Sequence, residues 1–161
     1  MAGIIKRARA LIVVGLDGAE ASLTAMRWAV QAASLHQASL LLIFVLDQFR
    51  RASYAGSPDA SPWVKGDAPG RAVLACARRE AVRVLTPGRV SSELIAGSPA
   101  KVLIDRSAGA ELLVLGTAYP VSSCANQVPP PMGSVARACL YGAACPVVIV
   151  PHQWSYAPAC A

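Results

Sequence analysis

Five short runs along the chain predict strands. Four of them are continuous apolar segments, and the third is a weaker strand interrupted by polar residues. The five runs are residues 11–16, 39–46, 89–95, 111–115 and 146–150. Continuous runs rich in branched residues are typical of strands buried on both faces, as in parallel sheets. Between them, apolar residues recur every three or four positions, which predicts amphipathic helices. The predicted helices are residues 19–35, 71–85, 99–108 and 135–143.

This alternation of strand and helix predicts an α/β fold, a three-layer sandwich with a five-stranded parallel sheet and right-handed crossovers. A single domain is expected over residues 1–151, including a basic tail at 1–9 and loop insertions at 48–70 and 117–132. Residues 152–161 read as a C-terminal tail without pattern. The 48–70 loop is long enough to be a binding segment or simply disordered, and both interpretations stay open.

The composition excludes two classes of protein. The chain has 161 residues, 55% of them apolar, and a mean hydropathy of +0.46, so it is not a disordered polymer. Its longest apolar run, 40–46, is seven residues, whereas a spanning helix needs about 20. We therefore expect no membrane partner, while the cysteines, interpreted as reduced packing residues, predict a cytoplasmic protein.

The charge and the cysteines do not indicate nucleic-acid or metal chemistry. The net charge is +6, but the arginines are scattered and no aromatic residues interleave with them, so a solvated helix face is favoured over a nucleic-acid surface. The five cysteines are widely spaced, and neither histidine has a partner at ligand spacing. No metal site is predicted, and the cysteines are interpreted as packing residues in a reducing compartment.

Candidate binding residues follow the ends of the predicted strands, where open α/β sheets bind ligands. They are Asp17, Val45 and the pair Gly116 and Thr117, with Gly133–Ser134 at the start of the last helix. A glycine and a serine at a helix N-terminus offer N–H donors and a hydroxyl to an anion. Simpler interpretations remain open, because Asp17 can cap the first helix and Gly133–Ser134 can be only a turn.

Catalytic signatures are missing from the same sequence. There is no G-x-G-x-x-G, no Walker loop and no G-x-S-x-G elbow. No serine or cysteine has a credible base partner, and no acid/base pair presents itself. We therefore expect that the protein is not an enzyme.

Four ordered stretches resemble the universal stress protein family over about residues 10 to 151. They are Val14-Gly15-Leu16-Asp17-Gly18 with Met26-Arg27-Trp28-Ala29, Ala96-Gly97-Ser98-Pro99-Ala100, residues 111–117, and residues 133–137 leading into 145–150. The resemblance implies a five-stranded parallel α/β fold that is usually dimeric. It also implies ATP binding, which many members show, and a link to survival under stress.

The resemblance also implies a nucleotide site. Leu16, Asp17 and Val45 would flank adenine, while Gly116, Gly133, Ser134 and Val135 would meet ribose and phosphates, with Thr117 beside them. ATP-binding members carry a phosphate loop of glycine, two residues, glycine, nine residues, then glycine and Ser or Thr.

The phosphate half of this predicted site is altered. Tyr119 stands where the middle glycine belongs, and thirteen residues rather than nine precede Gly133. Tyrosine adopts positive φ only at a cost, and its ring occupies space that a phosphate oxygen needs. We therefore expect ATP or another adenine nucleotide to bind weakly, in a stress-response regulator or sensor.

An alternative function is the same fold without nucleotide, acting as a dimeric protein-interaction module with an unidentified protein partner. A homodimer is expected through strand 146–150 in either case. This run carries no charge, and a terminal strand at a sheet edge would leave backbone groups open for pairing with a second copy.

Overall fold

The computed structural model describes residues 10–47, 67–117 and 132–155, and these contain five strands and four α-helices. The strands are β1 (Leu11–Leu16), β2 (Ser39–Asp47), β3 (Val90–Gly97), β4 (Leu112–Thr117) and β5 (Val147–Pro151). The helices are α1 (Glu20–Leu35), α2 (Ala68–Ala81), α3 (Pro99–Ser107) and α4 (Ser134–Gly142), and a short 3₁₀ turn spans Pro87–Arg89. No helix in these three ranges is long and apolar enough to cross a membrane.

All five strands pair in parallel in one sheet, in the order β3-β2-β1-β4-β5. The chain moves outward from β1 to β2 and β3, then returns to the other side of β1 for β4 and β5. The predicted α/β fold with a five-stranded parallel sheet is confirmed. Within the described residues β3 and β5 are the two edge strands, and the direction of winding reverses between β1 and β4.

A separate apolar core lies on each face of the sheet. Ile12, Val14 and Leu16 of β1 pack in the first core with α1 and α2. Val13, the residue between them, packs in the second core with Leu103 of α3 and α4 residues. Because β1 contributes to both cores, its apolar residues need no alternation, as the sequence pattern indicated.

The structure corrects the predicted bounds of α2. The helix begins at Ala68, so the last three residues of the predicted 48–70 loop are helical. Proline at position 69 is compatible with this start, because a first-turn residue has no intrahelical N–H bond to lose. At the other end the helix stops at Ala81, before the predicted Leu85. Leu85 is nevertheless only 2% exposed, which explains why it continued the apolar pattern.

The described cysteines divide into two kinds. Cys139 is buried in the second core and Cys145 is half-buried, which agrees with a packing role. Burial, with a smaller contribution from Cys145, raises the pKa of the Cys139 thiol to about 11. Cys76 is exposed on α2, so the interpretation of every cysteine as a packing residue is wrong at this position. The helical spacing placed Cys76 in α2 without showing which face it takes.

Two arginines connect neighbouring elements on the first-core face of the sheet. Arg27 of α1 contacts Glu20 on its own helix at 2.8 Å and Glu80 of α2 at 2.7 Å, and both hydrogen bonds raise the pKa of Arg27. Arg89 binds the end of α1, because its Nε donates to the carbonyl of Ala38 at 3.0 Å and its Nη2 donates to the carbonyls of Ala33 and Ala38. The half-buried Arg89 thus pairs a cation with carbonyls at a helix C-terminus.

We predict that Arg89→Met lowers the free energy of unfolding by about 2 kcal/mol, because it leaves these carbonyls without a charged donor. The methionine retains an apolar stem, so the change isolates the guanidinium. Urea unfolding followed by circular dichroism measures the difference. Arg83→Met is the matched control, and we expect it to change stability by less than about 0.5 kcal/mol, as exposed substitutions usually do. Equal effects at both positions would contradict the assigned role of Arg89.

Candidate functional site

A crevice is expected where the winding of the sheet reverses, between the carboxyl ends of β1 and β4. These strands pair in register from Ile12 with Leu112 to Val14 with Val114. The same register brings Leu16 level with Gly116. From β1 the chain enters α1, on the first-core face, and the other face is covered by α3 and α4. Diverging connections of this kind form the usual ligand site of open α/β sheets.

Asp17 follows β1 directly and organises the turn into α1. Its Oδ1 accepts a hydrogen bond from the backbone N–H of Ala19 at 2.9 Å, and its own N–H donates to the Ser22 hydroxyl at 3.4 Å. The intervening Gly18 has a φ of +85°, which favours glycine. Asp17 thus supports the start of the helix through the N-cap residue, Ala19. Its side chain is exposed, and no described residue contacts its Oδ2.

Ser22 is the polar residue of this turn that the sequence analysis missed. It is 4% exposed, and its hydroxyl donates to the carbonyl of Ala19 at 2.8 Å while accepting the N–H of Asp17. One buried hydroxyl therefore ties the end of β1 to the first turn of α1. The available signal was a serine three positions inside a helix start, where local side-chain to backbone bonds are common.

Gly116 lies inside β4, one residue beyond the strand end predicted from the sequence. A Cβ atom at this position would stand 2.2 Å from the carbonyl oxygen of Ala21 and 2.8 Å from the backbone nitrogen of Ser22. Glycine is therefore required here because β4 packs backbone to backbone against the first turn of α1. This steric requirement accounts for Gly116 independently of any phosphate.

The start of α4 has a different character. Gly133 is its N-cap, with a φ of −52° and no atoms near a virtual Cβ, and Ser134 is its first residue. No side-chain cap bond is made there by the described residues, and a helix N-terminus whose first-turn N–H groups lack such a partner suits an anion. Val135, the next residue, is half-buried against the second core and anchors the turn. Neither the φ of Gly133 nor its surroundings therefore require glycine at position 133, whereas close packing against the backbone of α1 requires it at position 116.

Two predicted adenine-flanking side chains belong to different cores. Leu16 is 5% exposed in the first core, so its side chain is not available to a ligand. Val45 is half-buried in the second core, the same core that holds Val135. Val45 lies in β2 one position past Phe44, the residue paired with Leu16. The structure therefore brings Leu16, Asp17 and Val45 to the carboxyl ends of β1 and β2. The side chain of Val45 lies on the face covered by α3 and α4.

The remaining predicted positions are only partly described. Thr117 ends β4 and is paired with Pro151 of β5, so it lies at the same carboxyl edge as Gly116. Tyr119 and the rest of the insertion up to residue 131 lie outside the described residues. Within the ranges that are described, no group of three or more His, Cys, Asp or Glu side chains could hold a metal ion.

Comparisons with known proteins agree with this architecture. Residues 10–151 match the sequence profile of the universal stress protein family. A universal stress protein of Mycobacterium tuberculosis (strain ATCC 25618 / H37Rv) is 32% identical over 139 residues, which cover 86% of this chain and 47% of that protein. The chain thus spans about half the length of the curated relatives that it matches.

Solved structures of related proteins share the fold. A protein of the universal stress protein family from Burkholderia pseudomallei is 29% identical, with a TM-score of 0.61 over 88% of this chain and 96% of that chain. A universal stress protein in complex with cAMP is 24% identical, with a TM-score of 0.65 over 91% of this chain and 99% of that one. At 24% identity, the similarity to the cAMP complex shows a shared fold only. The bound cAMP is a property of that protein.

The two glycines of the site give a matched test of steric requirement. We predict that Gly116→Ala lowers the free energy of unfolding by about 3 kcal/mol, because the new methyl overlaps the backbone of α1. Gly133→Ala should cost about 1 kcal/mol or less, the usual penalty for alanine at a helix N-cap. Thermal and urea unfolding of both variants measure the difference. A Gly116→Ala protein as stable as Gly133→Ala would refute the close approach of β4 to α1.

Proposed function

The chain belongs to the universal stress protein family, and from this premise we propose that it binds an adenine nucleotide between β1 and β4 as a regulator or sensor in the stress response. The observation that carries the proposal is the reversal of winding between β1 and β4, the position at which open α/β sheets bind ligands. The exposed carboxylate of Asp17 and the N-terminus of α4 both lie at ends of elements that border this position. The cAMP bound by a relative of the same fold supports an adenine ligand.

The two halves of the proposed site contribute different chemistry. The side chains of Asp17 and Val45, beside Leu16, form the adenine end, where the second carboxylate oxygen of Asp17 can accept a hydrogen bond from an amino or hydroxyl group of the ligand. Ser134 and the first-turn N–H groups of α4 form the anion end, where the helix dipole favours negative charge. Binding and release of the ligand, rather than its conversion, is the proposed action.

The phosphate contribution is proposed to be small. The expected loop lacks its middle glycine, since Tyr119 takes that place, and it is four residues longer than the family pattern. Gly116, the first glycine of the loop, already serves the packing of β4 on α1. Recognition therefore rests mainly on the nucleoside, and additional phosphates should add little to the affinity.

A second candidate function is a dimeric protein-interaction module that needs no nucleotide. The observation that favours it is the position of β5, which is paired only with β4 among the described residues and is uncharged throughout. An uncharged edge strand can pair with an equivalent strand of a second copy about a two-fold axis. Dimerisation is compatible with nucleotide binding, so the two candidates are separated by ligand measurements.

We predict that the protein binds AMP and ATP with affinities within about tenfold of each other, and that Asp17→Ala weakens both by more than tenfold, about 1.4 kcal/mol. Isothermal titration calorimetry of the full chain measures both constants. Asp17→Asn is the matched control, because its amide oxygen can still accept the Ala19 N–H bond. If Asp17→Ala loses affinity while Asp17→Asn binds as tightly as the unmodified protein, the effect belongs to the hydrogen bond in the turn rather than to the negative charge of the carboxylate.

One result would contradict the proposed binding of a nucleotide, and another would contradict the proposed small contribution of the phosphates to the affinity. If the unmodified protein binds neither nucleotide at millimolar concentration, the interaction module is the better function. If ATP binds a hundredfold more tightly than AMP, the longer loop builds a phosphate cradle. Mass spectrometry of small molecules released from the purified, denatured protein gives an independent check on the ligand.

We predict a homodimer through β5, with a mass in light scattering near twice the 16.7 kDa of the chain. Val148→Lys should dissociate it, because a charge on an edge strand opposes strand pairing. Position 148 is half-buried, whereas Val150 is 2% exposed and a lysine there would disturb the core. Leu35→Lys, at a position 82% exposed on α1, is the control that adds the same charge. A monomeric unmodified protein would refute this assembly.

A further inference from the structure

An open groove of about 530 Å³ lies between α2 and β3, the edge strand at the end of the sheet opposite to β5. Arg71, Arg78 and Arg79 of α2 line it, and we name it the arginine groove. Its position separates it from the crevice between β1 and β4, because β2 intervenes between β1 and β3. The proposed nucleotide site therefore makes no use of it.

The walls of the arginine groove are apolar. Leu74 of α2, Val82 directly after α2, and Leu94 of β3 line it together with the arginines. Leu74 belongs to the first core, and Val82 and Leu94 pack against that core while remaining half-buried. A ligand that fits must therefore offer apolar groups to the walls and negative charge to the rim.

The positive charge of this groove is poorly compensated. Arg71 has an exposed partner, Asp67, at 3.5 Å, whereas no described carboxylate pairs with Arg78 or Arg79. The nearest acidic residue in the helix sequence, Glu80, is engaged by Arg27 of α1. Among the described residues, the charges of Arg78 and Arg79 are therefore left without a carboxylate partner, and an acidic ligand would complement them.

The strand that borders the groove is open to pairing. β3 is bonded only to β2 among the described residues, so alternate N–H and C=O groups of β3 point away from the sheet. Ser91, Ser92 and Ala96 are exposed and small, and the strand contains no lysine or proline that would block an added strand. Its acidic residue, Glu93, is paired with Arg106 of α3 at 2.9 Å, on the other face.

From these observations we propose that the arginine groove and the free edge of β3 bind an acidic polypeptide segment of a partner protein as an additional strand. Backbone hydrogen bonds to β3 would hold the segment, and its acidic and apolar side chains would meet the arginines and the walls. A nucleic-acid ligand is disfavoured because the described residues that line the groove include no aromatic side chain for base stacking.

Charge also argues against occupation by this protein itself. Residues 48–66, which precede α2 in the chain, contain three cationic side chains and a single aspartate. A second copy carries a net charge of +6. Both would bring positive charge toward the arginines, so an acidic partner from another chain is the complementary occupant.

Fluorescence anisotropy of the full chain tests the charge requirement, with a labelled twelve-residue peptide of alternating Glu and Val as the probe. A peptide with Lys in place of Glu has the same length and apolar content and should not bind. Arg78→Glu with Arg79→Glu should weaken binding of the acidic peptide by at least about tenfold. The matched control is Arg83→Glu with Arg137→Glu, which reverses the same charge outside the groove and should change binding by less than about threefold.

The strand requirement is tested on the same protein by amide chemical-shift mapping. Addition of the acidic peptide should shift the amides of residues 91–96. Ser92→Glu places a carboxylate inside the groove and should abolish binding, because Ser92 lines it. Ser91→Glu is the control at the next position of the strand, whose neighbours in the two-residue pattern, Glu93 and Ile95, face α3 and the second core.

Three outcomes would overturn the proposal. Equal weakening by both pairs of arginine substitutions would show diffuse attraction rather than a site. Binding unaffected by Ser92→Glu would place the peptide elsewhere. An oligonucleotide of twelve uridines that binds as tightly as the acidic peptide, and is lost with Arg78→Glu and Arg79→Glu, would assign the groove to nucleic acid. Circular dichroism of each variant confirms that these surface substitutions leave the fold intact.

Discussion

The burial of β1 on both faces is the constraint on which the rest of the molecule depends. Ile12, Val13 and Val14 are all fully buried, and helices cover the sheet on each side. A central strand with two apolar faces cannot carry polar side chains along its length without leaving them unsatisfied. Polar chemistry is therefore confined to the ends of the strands and to the edges of the sheet, where the backbone and water are both accessible.

The sequence was most informative where one physical effect dominates. The bounds of β1 were predicted correctly because a buried strand must be apolar throughout. The start of α3 at Pro99 was predicted correctly because the fixed φ of proline at a first helical position is a local property, although the Ser98 side chain makes no cap hydrogen bond. The start of α2 was missed because Pro69 reads equally well as a loop residue and as a first-turn residue. Its end was missed because Leu85 is buried without being helical.

The candidate site could be predicted by residue but not by role. Register brings Leu16, Asp17 and Gly116 to the same edge of the sheet, as their positions after the strands implied. Sequence patterns could not show that Leu16 is turned into the first core or that Gly116 avoids the backbone of Ala21, since both depend on long-range packing. The hydroxyl of Ser22 and the arginine groove were missed for the same reason.

The order of the strands gives the sheet two terminal positions of unlike chemistry. β5 is uncharged and apolar, whereas β3 contains two exposed serines and lies beside the arginines of α2. Three strands separate them, a spacing of roughly 19 Å at about 4.8 Å per strand. Extension of the sheet at one end leaves the hydrogen-bonding row at the other untouched. The two edge strands of the described sheet therefore present separate rows of backbone donors and acceptors, so that pairing at one row would not use the groups of the other.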